Sequence, residues 1–332
     1  MILTIPLHGL GDILYHSLTL KLIHKKTNDD IILFCPKSSS FIPDFFDVPY
    51  MPQYSKLLKN DLTLSFKEEI AFWQELRNFS NARMFTILCD RVDSFIANRY
   101  QFHILENGLS NYYLINNQGL RGKLNYRYSP KGINPKHFLL RMYLNVSALI
   151  PITKNEFAVQ IRQIFNEQIL FRGIEKENEK KNKKIGIFPD AGSPTRSMTK
   201  NQIEFIISYY RRDNYIFDIY TSRVFVDFHN DNVTVKRFSS FKDIIRDCNL
   251  YDIVFTCDSF PAHFSGLLGK KTFVIYNCPQ IKKYCEYWGT PYSNVIHVEG
   301  KSIYTLNEYF DANVVNPSTN EDYMLLDLIN KK

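Results

Sequence analysis

Residues 252–278 constrain the fold of this chain more than any other stretch. They run Asp252-Ile-Val-Phe-Thr-Cys-Asp258-Ser259-Phe260-Pro261-Ala262-His263-Phe-Ser-Gly266-Leu267-Leu268-Gly269-Lys270-Lys271-Thr272-Phe-Val-Ile-Tyr-Asn-Cys278. Two apolar, β-branched runs, 253–256 and 272–276, have the composition of strands buried on both faces. Between them the spacing predicts a helix. Asp258 and Ser259 suit its start because their side chains accept hydrogen bonds from first-turn N–H groups, and Pro261 needs no such bond. Gly269 suits its stop. A βαβ unit of this kind sets its loop and helix N-terminus at the carboxyl edge of a parallel sheet, where open α/β folds bind ligands. The free N–H groups and the positive end of the helix dipole there suit a phosphate, with His263 in the same first turn. The plain alternative is an ordinary helix cap beside a satisfied, half-buried histidine.

The N-terminal segment has a related design. A buried strand is expected over 2–7 and a helix over 12–24, joined by His8-Gly9-Leu10-Gly11-Asp12. A dinucleotide fingerprint would need a third glycine where Leu14 stands, and an acidic residue after the second strand, which is absent. An NAD site is therefore disfavoured. His16 falls one turn beyond Asp12 on the same face, within reach of a hydrogen bond to it.

At 332 residues with 45% apolar content, the chain is long enough for two domains. Strands are expected at 31–35, 85–88, 184–188, 215–221 and 233–238, and helices at 64–79, 136–148, 153–171, 202–210, 241–248 and 321–330. Residues 41–59, rich in Pro, Phe and Tyr, read as a loop or insertion lining an acceptor site. Residues 175–184 are all Glu, Lys or Asn, with nothing to bury, and are expected to form a charged linker. The expected division is thus 1–174, a linker at 175–184, 185–316, and a terminal segment at 317–332. Arg91, in Cys89-Asp90-Arg91, is expected at a strand end and is either an acceptor contact or half of a surface ion pair. Arg121 and Lys123 lie in a basic, aromatic-interleaved stretch that suits a phosphorylated sugar or a solvated face.

Net charge is +7, which favours anionic partners such as nucleoside diphosphates, phosphorylated glycolipids or an anionic membrane surface. Nucleic acid is disfavoured, since no helix-turn-helix, RNP-type or zinc-finger spacing occurs and the basic residues alternate with acids. The six cysteines show no metal-ligand spacing, and neither a signal peptide nor a spanning helix is expected. Reduced, buried thiols of a cytoplasmic protein are the expectation.

Three segments resemble the heptosyltransferase-like glycosyltransferases of family 9. Asp258-Ser259-Phe260-Pro261-Ala262-His263, followed by Gly266 to Thr272, is similar to that family's Asp-Ser/Thr-Gly-Pro-x-His signature, with Phe260 in place of its glycine. Leu10-Gly11-Asp12-Ile13-Leu14 with Ser17, Leu18 and Leu22 resembles its opening motif. Pro189-Asp190-Ala191-Gly192 through Arg196 and Lys200 to Gln202 resembles the segment whose cation meets the nucleotide-sugar phosphates. The resemblance implies a GT-B fold, two Rossmann-like α/β domains with parallel sheets facing a cleft, and a C-terminal helix packing back on the first domain. It also implies an inverting, metal-independent transfer from a nucleotide-diphosphate sugar, with no cofactor, to a glycan or glycolipid acceptor at the inner face of the cytoplasmic membrane. Asp12 would be the base, and Arg196, Lys200, Asp258, Ser259 and His263 would hold the donor diphosphate, with Arg196 and His263 neutralising its charge. His8, Gly11, Arg91, Arg121 and Lys123 are the acceptor-binding candidates. Phe260, and the absence of the family's ribose-binding glutamate, leave a second reading open: a GT-B scaffold that binds a nucleotide sugar without turning it over.

Overall fold

The structure, a computed structural model, describes residues 2–4, 9–35, 37–52, 83–85, 103–106, 109–112, 137–174, 183–221, 231–238, 240–277, 289, 290, 292 and 294–305. The chain divides into two compact units, Met1–Ile164 and Phe165–Lys332.

In the first unit, strands β1 (Ile2–Thr4), β2 (Ile31–Cys35), β3 (Tyr50–Pro52), β4 (Arg83–Phe85), β5 (His103–Glu106) and β6 (Leu109–Tyr112) form one sheet in the order β3-β2-β1-β4-β5-β6. This is the Rossmann order, with β1 paired in parallel to both β2 and β4. The pair β5–β6 is antiparallel, a departure from the all-parallel expectation, because two residues between those strands leave room only for a hairpin.

Helix α1 (Leu10–Thr27) begins earlier than its periodicity suggests. Gly9 is its N-cap in extended conformation, and the Gly9 carbonyl accepts from the N–H groups of Asp12 and Ile13. Asp12 therefore lies inside the first turn and is not the cap. The helix is buried on nearly every side, from Ile13 through Ile23 apart from Lys21. Residues 41–52, expected as loop, contain a short helix α2 (Phe41–Phe45) and strand β3, joined through Asp47 in the left-handed region. Burial of Ile42, Phe45, Phe46 and Val48 is what orders them. The unit continues with α3 (Phe138–Ser147) and the first part of α4 (Lys154–Phe171), a helix that spans the division between the units; both lie near their expected positions.

The second unit holds β7 (Lys184–Phe188), α5 (Lys200–Tyr210), β8 (Ile216–Tyr220), β9 (Val233–Lys236), α6 (Phe241–Leu250), β10 (Ile253–Cys257), α7 (Phe260–Leu267), β11 (Lys271–Tyr276) and β12 (Val295–Glu299). Its sheet order, β12-β11-β10-β7-β8-β9, is again the Rossmann order counted from β7, and every pairing is parallel. The order reverses between β7 and β10, so the loops after these two strands meet at the switch point. Ile185, Ile187, Phe255, Phe273 and Ile275 supply the core beneath, with the Phe255 and Phe273 rings stacked at 4.9 Å between centroids.

Gly186 in β7 is required by packing. A Cβ there would stand 2.3 Å from the Tyr251 ring, which is fully buried and whose hydroxyl donates to Asp218. Gly186→Ala is expected to destabilise the protein by about 1–3 kcal/mol, the usual cost of overpacking a core, as a lowered denaturation midpoint at unchanged slope.

Candidate donor site

The loop after β7 is tied down at several points before it reaches α5. Met198 N–H donates to the Pro189 carbonyl at 2.9 Å, closing the loop at its base. Inside it, the Ser197 hydroxyl accepts from Ala191 N–H at 3.0 Å and donates to the Ser193 carbonyl at 3.1 Å. Asp190 is held by the Thr221 hydroxyl, which reaches both its carboxylate oxygens at 2.9 and 3.1 Å. Pro194–Arg196 forms a single 3-10 turn, and Thr199 starts α5 through a reciprocal capping box with Gln202.

That turn aims Arg196 at the other loop of the switch point. Its Nη2 donates to the Asp258 carbonyl at 2.5 Å and lies 3.7 Å from the Asp258 carboxylate. Burial raises the Asp258 pKa, and the Arg196 guanidinium acts against that rise. Arg196 Nε is buried and has no hydrogen-bond partner among the described residues. A guanidinium with one edge bonded and a second donor unsatisfied is suited to an anion.

Ser259 occupies the N-cap position of α7, as expected, but its side chain does not cap the helix. It donates instead to the Cys257 carbonyl at 3.3 Å. Of the N–H groups that such a side chain would cover, Pro261 has none and Ala262 donates to the Ser259 carbonyl at 3.0 Å, so what the helix start offers an anion is chiefly the positive end of its dipole. Pro261 stands in the first turn, and Gly269, at φ +76°, ends the segment after Leu268.

Phe260 causes no steric difficulty at this helix start. It is absent from the positions with positive φ, so the backbone does not demand glycine here. The residue is 9% exposed, and its ring packs on Phe241 and Phe264, with centroids at 5.3 and 5.1 Å.

His263 is half-buried, and its Nδ1 lies 3.1 Å from the Thr290 hydroxyl. Its pKa is pushed down to about 4, first by burial and then by His297. Without a bound anion the ring is therefore neutral at pH 7 and suited to hydrogen bonding, because a proton there would sit in a desolvated pocket beside a second histidine. Lys200 is the first residue of α5, exposed, and 3.5 Å from Glu204 one turn on.

In the first unit Asp12 is half-buried, and burial raises its carboxyl to about 7 against a Gly9 backbone hydrogen bond that lowers it. Gly11 is buried in the same turn. His16 is buried, and its pKa falls to about 3 through desolvation. His8, Arg91, Arg121 and Lys123 lie outside the described residues, as do the expected helices 64–79 and 321–330 and most of the charged linker.

The sequence reading missed a polar knot behind the loop. Gln202 Nε2 donates to Asn277 Oδ1 at 2.7 Å and to the Gly300 carbonyl at 2.9 Å, while Asn277 Nδ2 donates to the Ser197 carbonyl at 2.7 Å. A Cβ on Gly300 would fall 1.8 Å from Asn277 Oδ1. The knot joins three strand ends at the carboxyl edge and fixes the residue next to Arg196. The Thr-x-x-Gln capping pattern was its one legible signal.

No protein-family model matches the chain, and no curated protein matches it in sequence. Solved structures do match. The E. coli heptosyltransferase WaaC with ADP aligns at TM-score 0.65 and 11% identity, over 94% of this chain and 99% of that one. The family 9 glycosyl transferase of Veillonella parvula DSM 2008 aligns at 0.58 and 13%, over 97% and 94%. E. coli ADP-heptose lps heptosyltransferase II aligns at 0.55 and 12%, over 99% and 98%. At these identities the likeness is one of fold, and the fold is GT-B.

Proposed function

We propose that this chain is an inverting, metal-independent glycosyltransferase that moves a heptose or another hexose-type sugar from a nucleoside-diphosphate donor to a bacterial surface glycan or lipopolysaccharide-type acceptor. The observation that carries the reading is Arg196: its guanidinium bridges the two switch-point loops, with Nε buried and unsatisfied, beside the N-terminal end of α7. The heptosyltransferase fold of the structural neighbours supports it, as does the nucleotide in the WaaC structure.

In the reaction, the acceptor hydroxyl attacks the anomeric carbon as its proton passes to Asp12, and the bond to the diphosphate breaks. Charge then grows on the departing phosphate oxygen. Arg196 and the positive N-terminal end of α7 receive that charge, with His263 as a neutral donor; groups aimed at a developing charge commonly dominate such barriers. A carboxyl near pKa 7 is matched to taking a proton at neutral pH. The net charge of +7 supports an anionic acceptor and peripheral contact with the cytoplasmic face of a membrane. Among the described residues no helix is long and apolar enough to cross one.

The test is thermal melting with ADP, UDP, GDP and CDP, followed by transfer or hydrolysis assays with the matching sugar, ADP-heptose first. A nucleotide at a hundredfold over its Kd should add roughly 2.7 kcal/mol and raise the midpoint by degrees. Binding with neither transfer nor hydrolysis would turn the reading into that of a scaffold. No response to any nucleotide would end it.

A further inference from the structure

A hydrogen-bonded chain behind α7 bears on what His263 can do. Tyr276, at the carboxyl end of β11, lies with its hydroxyl 2.8 Å from His297 Nδ1, and His297 Nε2 lies 3.1 Å from the Thr290 carbonyl. A carbonyl only accepts, so His297 carries its proton on Nε2 and receives the Tyr276 O–H at Nδ1. His297 is 1% exposed and its pKa falls to about 4, so this neutral form is the one that persists. The backbone of Thr290 is thereby anchored.

The side chain of Thr290 then faces His263. The residue is 2% exposed, and among the described residues its hydroxyl has one partner, His263 Nδ1. A buried hydroxyl whose proton finds no acceptor carries a desolvation cost, whereas an idle lone pair costs less. The proton therefore goes to Nδ1. Gly266 enforces the geometry: a Cβ there would come within 2.7 Å of both Thr290 Cγ2 and a Tyr292 ring carbon. Residues 263 and 266 share one face of α7, so the close approach at Gly266 also sets Thr290 against His263.

We propose that Thr290 is a positioning residue that sets the tautomer of His263: its hydroxyl donates to Nδ1, the ring proton resides on Nε2, and the neutral imidazole serves as a hydrogen-bond donor to the diphosphate of the sugar nucleotide. The phosphate role rests on the donor-site reading above; the tautomer stands on the geometry alone.

Two measurements separate them. Long-range nitrogen–proton NMR of the ligand-free wild-type protein reports the tautomer directly. The Nε2–H pattern is expected for His263, mixed forms are expected in Thr290→Val, and the single form should return in Thr290→Ser. An Nδ1–H pattern in wild type overturns the proposal without any variant, so a misfolded Val variant does not shelter it. The second measurement is calorimetric titration with pyrophosphate, which carries the diphosphate and no base. Thr290→Val should bind it about tenfold more weakly, with Thr290→Ser close to wild type. Equal affinity in all three overturns the phosphate role. If the tautomer behaves as expected but wild type binds neither pyrophosphate nor any nucleoside diphosphate, the donor-site reading falls and the tautomer assignment survives.

Discussion

Arg196→Ala is expected to lower turnover by about a hundredfold or more, and to weaken nucleoside-diphosphate binding by a smaller factor. The asymmetry follows from when the charge appears. On the proposed reading the diphosphate charge of the bound donor is spread and partly met by the positive end of α7; as the sugar leaves, charge concentrates on one oxygen, and a guanidinium gains most at that moment. The variant also strips Asp258 of its cationic neighbour, so its carboxyl is expected to titrate still higher than it does in the native protein. Arg196→Lys keeps the charge but loses the second parallel donor, and should recover part of the binding and little of the rate. Steady-state kinetics with the donor identified by melting checks both variants. A kcat of Arg196→Ala within a few-fold of wild type would remove the residue from the site.

Replacing Asp12 with Asn should have an effect at least as large on turnover, by roughly a hundred- to ten-thousandfold, while donor binding stays nearly intact. Two pH experiments make this specific to the carboxyl. The wild-type rate should rise with pH through about 7 and then level, because the proposed base works only when ionised and burial holds its pKa there. Stability should run the other way. Between the ordinary carboxyl value of 3.8 and about 7, the folded protein holds a proton that the unfolded chain has released, so stability falls as pH rises across that window and is flat above it. Asn carries no charge to desolvate, so Asp12→Asn should lose this slope and melt above wild type at pH 8. A wild-type rate profile breaking near pH 4, or a stability slope unchanged in the variant, would assign the behaviour to another group.

The legible parts of the chain were those with local causes. Strand 253–257 and the stop at Gly269 follow from β-branched runs and a left-handed glycine, signals confined to a few neighbouring residues. The helices at 138–147 and 154–171 follow from apolar period. The extent of α1 was not legible: it is buried nearly all round, so it has little amphipathic contrast, and its start is set by the Gly9 backbone, which no side chain advertises. The segment 41–52 was obscured by its prolines and aromatics. It is ordered by burial against other parts of the unit, and that partner is absent from any local pattern.

At the proposed donor site, residue types and chain order were enough to nominate Arg196, Lys200, Asp258, Ser259 and His263, because a phosphate asks for cations and helix N-termini after parallel strands. What they do there was decided only by the tertiary fold. The sheet order brings residue 196 to residue 258 across 62 positions of sequence, and turns Phe260 inward onto Phe241 and Phe264. It also sets His263 beside Thr290 and His297, which takes its charge away. Side-chain chemistry is written residue by residue, whereas protonation, tautomer and the choice of hydrogen-bond partner depend on desolvation and on neighbours that meet only when the sheet closes.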